Sequence, residues 1–351
     1  LARGADAQGE LYLGFDVGTQ GTKALLVDAA SKRIVARAAV AYGLIEGLGE
    51  GAAEQHPDTW ADAARVTCAR VFDGRDADRA RVAGIGVSGQ QHGLVVLDEN
   101  GRPVRAAKLW CDTSTADEAR ELTRILGRHV PAGYTAPKVA WLARREPEQW
   151  KRARFAMLPH DYVNFRLGGR AFTDAGDASG TGYFDARERA YDLAACDAIE
   201  PRLRDMLPAI ARSGSVGAEL DDTGAGLLGL RAGVPLATGS GDNMLSALGS
   251  GCTRSGVAVV SLGTSATVFA RSESFVDDAS GAVAPFCDAT GAYLPLLCVM
   301  NATGVAEEVK RAFACDHATL TREASSVAPG CRGVTWLPYL QGERVPDLPR
   351  A

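Results

Sequence analysis

Leu11-Tyr12-Leu13-Gly14-Phe15-Asp16-Val17-Gly18-Thr19-Gln20-Gly21-Thr22-Lys23-Ala24-Leu25-Leu26-Val27 runs from one apolar stretch through a glycine-threonine turn into another. Strand is expected on both sides of the turn. A P-loop or a dinucleotide fold would open a helix directly after its glycines, and neither of their spacings is present. The stretch predicts a β-hairpin whose turn can grip phosphate. Glycine removes the Cβ that keeps backbone N–H groups away from a polyphosphate, and threonine adds a hydroxyl donor.

A second copy, Ser261-Leu262-Gly263-Thr264-Ser265-Ala266-Thr267, follows the apolar run Val257 to Val260 and precedes Ala266 to Ala270. One such turn reads as an ordinary hairpin with turn-forming residues. Two of them make nucleotide-dependent phosphoryl transfer the leading idea. Asp16 would then face the phosphates through a divalent cation, because a bare carboxylate repels them; magnesium suits a site with few carboxylates, water and phosphate oxygens.

With 351 residues, 46% of them hydrophobic, the chain can bury about two cores. A net charge of −5 gives no basic footprint for nucleic acid or an anionic membrane. No apolar run approaches the roughly 20 residues that span a bilayer, and the first residues hold no apolar signal core, so a cytoplasmic location is expected. The eight cysteines are scattered without a C-x-x-C pair, which predicts buried thiols in a reducing compartment and not a zinc site.

Along the chain, Pro57 and Asp58 suit a helix start, and Trp60, Ala64, Cys68 and Val71 recur at helical spacing. Val82 to Val87 reads as a buried strand running into Ser88-Gly89-Gln90-Gln91-His92-Gly93, which places Gln91 and His92 at a strand end; Leu94 to Leu97 returns. Helices are expected near 114–126, 139–145 and 161–167. Thr173 to Thr181 is rich in small polar residues and reads as a loop near a cleft. Beyond a change of domain near residue 233, the expected elements are the second hairpin, a strand at 294–300 and a helix at 304–313.

Gly239-Ser240-Gly241-Asp242-Asn243 ends an apolar strand in glycines and opens a helix on an acid. Alone, Asp242 is a favoured helix cap. Beside two phosphate hairpins it reads as a base: first-turn N–H groups and the helix dipole hold it ionised toward a cleft.

Together with Glu54-Gln55-His56-Pro57, Tyr134-Thr135-Ala136-Pro137-Lys138, Leu158-Pro159-His160-Asp161-Tyr162, Ser179-Gly180-Thr181 and Leu337-Pro338-Tyr339-Leu340-Gln341-Gly342-Glu343-Arg344, these segments resemble, in order and over nearly the whole chain, the FGGY family of carbohydrate kinases. The likeness is strongest to its xylulokinase branch. It implies an α/β protein of two actin-like, ribonuclease H-like domains around a cleft, in the superfamily of actin and the sugar kinases. Residues 1–232 would form the sugar-binding domain and 233–351 the first part of the nucleotide-binding domain. The family pattern continues past Arg344 into a glycine-rich adenosine-binding motif, so the second domain is expected to be incomplete here. The short connection from Gly127 to Pro131 also departs from the family pattern.

The resemblance implies that ATP and Mg2+ act with a small-molecule sugar, most simply D-xylulose. Asp242 would be the general base, and Asp16 and Asp242 would hold the metal. Gln91, His92, Trp110, Asp242 and Asn243 would line the sugar pocket. Gly18, Thr19, Gln20, Thr22 and Lys23, with Gly263, Thr264 and Ser265, would meet the nucleotide. Closure of the domains would exclude water. Ribulose, sedoheptulose and gluconate stay open as rival substrates, as does a non-catalytic sugar-binding or regulatory fragment. No nucleic-acid or membrane partner is implied, and assembly as a homodimer is left open.

Overall fold

Strand β1 (Leu11–Val17) alternates strictly, burying Leu11, Leu13, Phe15 and Val17 on one face while Tyr12, Gly14 and Asp16 take the other. That period of two builds the core against one face of the sheet and delivers Asp16 to the opposite face. The computed structural model describes residues 9–263, 265–339, 342–343, 345 and 348. β1 pairs antiparallel with β2 (Gly21–Asp28), which pairs antiparallel with β3 (Arg33–Ala41). The first predicted hairpin is therefore present.

Helix α1 (Pro57–Val71) starts on Pro57 and buries Trp60, Ala64, Cys68 and Val71. Proline suits the first turn because its missing N–H has no intrahelical partner there. The chain then enters β4 (Val82–Gly89), parallel to β1. Helices α2 (Ala116–Leu126), α3 (Thr135–Arg145) and α4 (Pro159–Gly168) occupy the stretches where helices were expected.

One expectation is corrected. Thr173 to Ala178, expected as part of a loop near a cleft, instead belongs to β5 (Phe172–Asp174) and the helical turn α5 (Ala175–Ala178), with Asp174 and Asp177 fully buried. Burial is possible because Asp174 accepts from its own backbone, at Gly176 N (2.9 Å) and Asp177 N (3.0 Å), and also takes the Ser240 hydroxyl at 3.0 Å. A polar stretch can enter a core once its donors and acceptors are paired.

Strands β6 (Val216–Glu219), β7 (Pro235–Ala237) and β8 (Ser240–Gly241) complete a seven-stranded sheet of order β6-β7-β4-β1-β2-β3, with β8 also on β4. Ser240 pairs with Ser88 and Gly241 with Gly89. Helix α6 (Asp242–Gly249) follows without an intervening residue.

The chain divides into two units: Leu1–Leu248 with Phe286–Ala292, and Gly249–Pro285 with Tyr293–Ala351. Residue 233 lies just before β7, a strand of the first unit's sheet. In the second unit, β9 (Ala258–Leu262), β10 (Ala266–Ala270), β11 (Val283–Cys287) and β12 (Tyr293–Val299) form a sheet of order β9-β10-β12-β11. β9 and β10 are the second predicted hairpin. Helices α7 (Thr303–Ala312) and α8 (His317–Ser326) follow. Among the described residues, no helix is long and apolar enough to cross a membrane.

Candidate functional site

The parallel pairing of β4 with both β1 and β8 brings three strand ends together, carrying Asp16 to Gly18, Ser88 to His92, and Ser240 to Asn243. Ligands gather at strand ends of α/β sheets because the chain leaves there in loops and helix starts.

The turn after β1 is tied down from several sides. Gly18 N donates to Gly21 O at 3.0 Å, and the Tyr42 hydroxyl donates to Gly18 O at 2.8 Å. The Thr19 hydroxyl donates to Gln90 Oε1 and accepts from Trp110 Nε1, each at 2.9 Å. Trp110, 37% exposed, thus stands beside the hairpin that the sequence marked for phosphate. Gln55 Nε2 donates to Thr19 O at 2.7 Å. Thr22 is fully buried, its hydroxyl 3.0 Å from Tyr42 Oη, so it supports the hairpin from the core side. Gln20 and Lys23 are exposed. Lys23 Nζ lies 3.6 Å from Asp16 Oδ2, and the Ser88 hydroxyl donates to Asp16 Oδ1 at 3.3 Å.

Across the strand ends, Asn243 Nδ2 donates to Gln91 Oε1 at 2.8 Å, while Asn243 N donates to Asp242 Oδ1 at 2.8 Å. Gln91 is buried, and its Nε2 has no hydrogen-bond partner among the described residues. A buried donor without a partner costs free energy, which a polar ligand would recover. Gly241 permits this approach: a Cβ there would stand 2.6 Å from Gln91 Cγ. His92 adopts φ +64° and its carbonyl accepts from the Thr135 hydroxyl at 3.2 Å.

Asp242 is half-buried at the β8–α6 corner. Burial, then the nearby carboxylates of Asp177 and Asp16, push its pKa up to about 7, although Asn243 N–H favours the ionised form. A helix start by itself holds such an acid ionised. The surroundings of Asp242 instead poise it near neutrality, where a group can both take and hold a proton. Asp177, whose carboxylate acts on Asp242, has its Oδ2 2.6 Å from His160 Nδ1, a pairing that sequence reasoning missed.

Among the described residues, no group of three or more His, Cys, Asp and Glu side chains could hold a metal ion. Asp16 and Asp242 nevertheless fit magnesium bound with phosphate, which needs few protein carboxylates. Burial and Asp177 raise Asp242 more than Asp16 does; a cation beside Asp16 and Asp242 would relieve the smaller part that comes from their mutual repulsion.

In the second unit, Gly263 N donates to Ser265 O at 2.8 Å, and Gly263 O accepts from Thr303 N at 2.9 Å. The second turn is thereby fixed to the start of α7. Thr264 lies outside the described residues, as do Leu340, Gln341 and Arg344 of the last motif. Glu343 accepts from Met300 N at 2.6 Å and Asn301 N at 3.2 Å, anchoring that motif at the end of β12.

Comparison with known proteins agrees with this architecture. The model of the N-terminal domain of the FGGY family of carbohydrate kinases matches residues 11–249. The xylulose kinase of Haemophilus influenzae is 37% identical over 355 residues, covering 97% of this chain and 72% of that protein. The xylulose kinase of Streptomyces coelicolor is 42% identical over 357 residues, covering 98% and 70%. The crystal structure of xylulose kinase from Bifidobacterium adolescentis superposes with a TM-score of 0.83 at 30% identity, covering 98% of this chain and 75% of that one. The α/β fold is the actin-like fold of these sugar kinases, and the chain belongs to the FGGY family of carbohydrate kinases.

Proposed function

We propose that this chain phosphorylates D-xylulose at its C5 hydroxyl with ATP, giving D-xylulose 5-phosphate and ADP, with Asp242 as general base. The observation that carries the assignment is the placement of Asp242 at the β8–α6 corner, beside the hydrogen bond between buried Gln91 and half-buried Asn243. Similarity to several xylulose kinases supports the choice of sugar.

The sugar is bound by Gln91, His92, Asp242 and Asn243. The orphaned Gln91 Nε2 supplies a donor already aimed and desolvated, which suits a hydroxyl or carbonyl oxygen. Trp110 offers an indole face while its N–H fixes Thr19. As the C5 oxygen attacks the terminal phosphorus, its proton passes to the Asp242 carboxylate and the bond to the ADP oxygen breaks. Phosphoryl transfer asks the protein mainly for positioning and charge neutralisation. Backbone N–H groups at Gly18 and Thr19, the exposed Gln20 and Lys23, and the second turn at Gly263, Thr264 and Ser265 serve the phosphates, with Thr22 as buttress. Asp16 and Asp242 hold Mg2+, which when bound neutralises charge on the polyphosphate. The first unit takes the sugar and the second the nucleotide, in a cytoplasmic enzyme.

Assay of a panel of ketoses and sugar acids with ATP and magnesium tests this. The highest kcat/KM is expected on D-xylulose. A higher value on ribulose, sedoheptulose or gluconate would overturn the substrate, and no turnover of any would favour a non-catalytic sugar-binding role.

A further inference from the structure

His92 is held in a left-handed backbone conformation that side chains with a Cβ rarely adopt, so its surroundings must impose it. The Thr135 hydroxyl ties its carbonyl, and the imidazole itself is packed among aromatic rings and a glycine. The Phe286 ring lies 5.9 Å from the imidazole at an interplanar angle of 20°, and the Tyr134 ring 5.0 Å away at 39°. Gly180 presses on the edge of the imidazole: a Cβ there would stand 2.0 Å from His92 Cε1, 2.1 Å from Nδ1 and 3.1 Å from Phe286 Cε1. No residue but glycine fits while the imidazole keeps this position.

Phe286 reaches the imidazole from a separate stretch of chain. It is 3% exposed and begins the segment Phe286–Ala292, which packs within the first unit although the chain on either side belongs to the second. The segment is pinned where Cys287 N donates to the Ser179 hydroxyl at 3.1 Å, Cys287 Sγ to Ala186 O at 3.4 Å, and Arg189 Nη2 to Ala292 O at 2.9 Å. Tyr134 is fixed in its turn by the buried Lys138, whose Nζ donates to Gly133 O at 2.6 Å and Tyr134 O at 2.7 Å.

We infer that Phe286 is a positioning residue for sugar recognition: stacked on His92 and backed by Gly180 and Tyr134, it fixes the angle at which the imidazole meets the sugar. This rests on the assignment of His92 to the sugar pocket. A flat ring restricts its neighbour's rotation as well as burying it, so an aliphatic side chain of similar volume would fill the space without fixing the angle.

The test is Phe286→Leu in the full-length protein, with steady-state kinetics, sugar binding by calorimetry and thermal melting. The KM and Kd for D-xylulose should rise about three- to tenfold, with kcat and the KM for ATP within about twofold of wild type. Phe286→Tyr, which keeps the ring, should restore the sugar KM. Tyr134→Leu, on the imidazole's other neighbour, should give the same pattern and serves if Phe286→Leu does not fold. In a His92→Ala background Phe286→Leu should add nothing. Additive losses, or an unchanged sugar KM in folded Phe286→Leu and Tyr134→Leu, would overturn the inference. If His92→Ala itself leaves the sugar KM unchanged, the pocket assignment fails first.

Discussion

His160 Nδ1 stands 2.6 Å from Asp177 Oδ2, and Asp161 Oδ1 lies 3.3 Å from Nε2 of the same ring, with all three side chains buried. Burial alone would pull the imidazole pKa down from its ordinary 6.5. The carboxylates of Asp161, Asp177 and Asp174 outweigh it and push it up to about 9, which favours the protonated ring; a Cβ on Gly239, just before β8 and Asp242, would stand 3.3 Å from His160 Cδ2.

Stability should therefore depend on pH in a definite sense. The folded pKa of His160 exceeds the unfolded value, so its contribution is complete below about pH 6.5 and is lost as pH rises through about 9. Asp161, pushed up to about 7 by burial, and Asp174, also raised by burial, act in the same direction. Melting temperatures from pH 6 to 10 should fall for the wild type and fall less for His160→Gln. Parallel curves would show that this cluster is not the source.

At the two glycine-threonine turns, the fold leaves room that a ligand can claim. Among the described residues other than its chain neighbours, a Cβ on Gly18 would meet nothing closer than Gly21 O at 3.5 Å, and one on Gly263 nothing closer than Ser265 O at 3.4 Å. Gly18→Val and Gly263→Val should therefore fold, bind sugar by calorimetry, and show raised KM for ATP, because the branched side chain blocks backbone approach to phosphate. Equal loss of sugar and nucleotide binding would contradict the assignment.

His92→Ala removes a ground-state contact and leaves the base in place. The KM for D-xylulose should rise roughly tenfold with kcat little changed, the size expected for one lost hydrogen bond and a group left without its partner. An unchanged KM would remove His92 from the pocket.

Local pattern carried much of this structure and stopped where partners come from afar. The alternation in Leu11 to Val17, the spacing of Trp60, Ala64, Cys68 and Val71, and the glycine-acid corner at Asp242 each declare an element within a few residues. Thr173 to Thr181 reads as a loop because small polar residues usually mark one. Here Asp174 satisfies its own helical turn and the Ser240 hydroxyl, and Asp177 meets His160, partners that no local spacing announces. Phe286 was invisible for the same reason: a single aromatic at a strand end gains its meaning only from the imidazole it stacks on.

The central claim is that Asp242 takes the proton of the attacking sugar hydroxyl. Asp242→Asn keeps the size of the side chain and can still accept from Asn243 N, but it cannot accept that proton. Steady-state turnover of D-xylulose by the full-length variant, at saturating ATP and magnesium, should show kcat reduced by about 10²–10⁴ with sugar Kd preserved, as removal of a general base requires. A folded Asp242→Asn enzyme that keeps wild-type kcat would contradict the account and leave Asp242 as a helix cap alone.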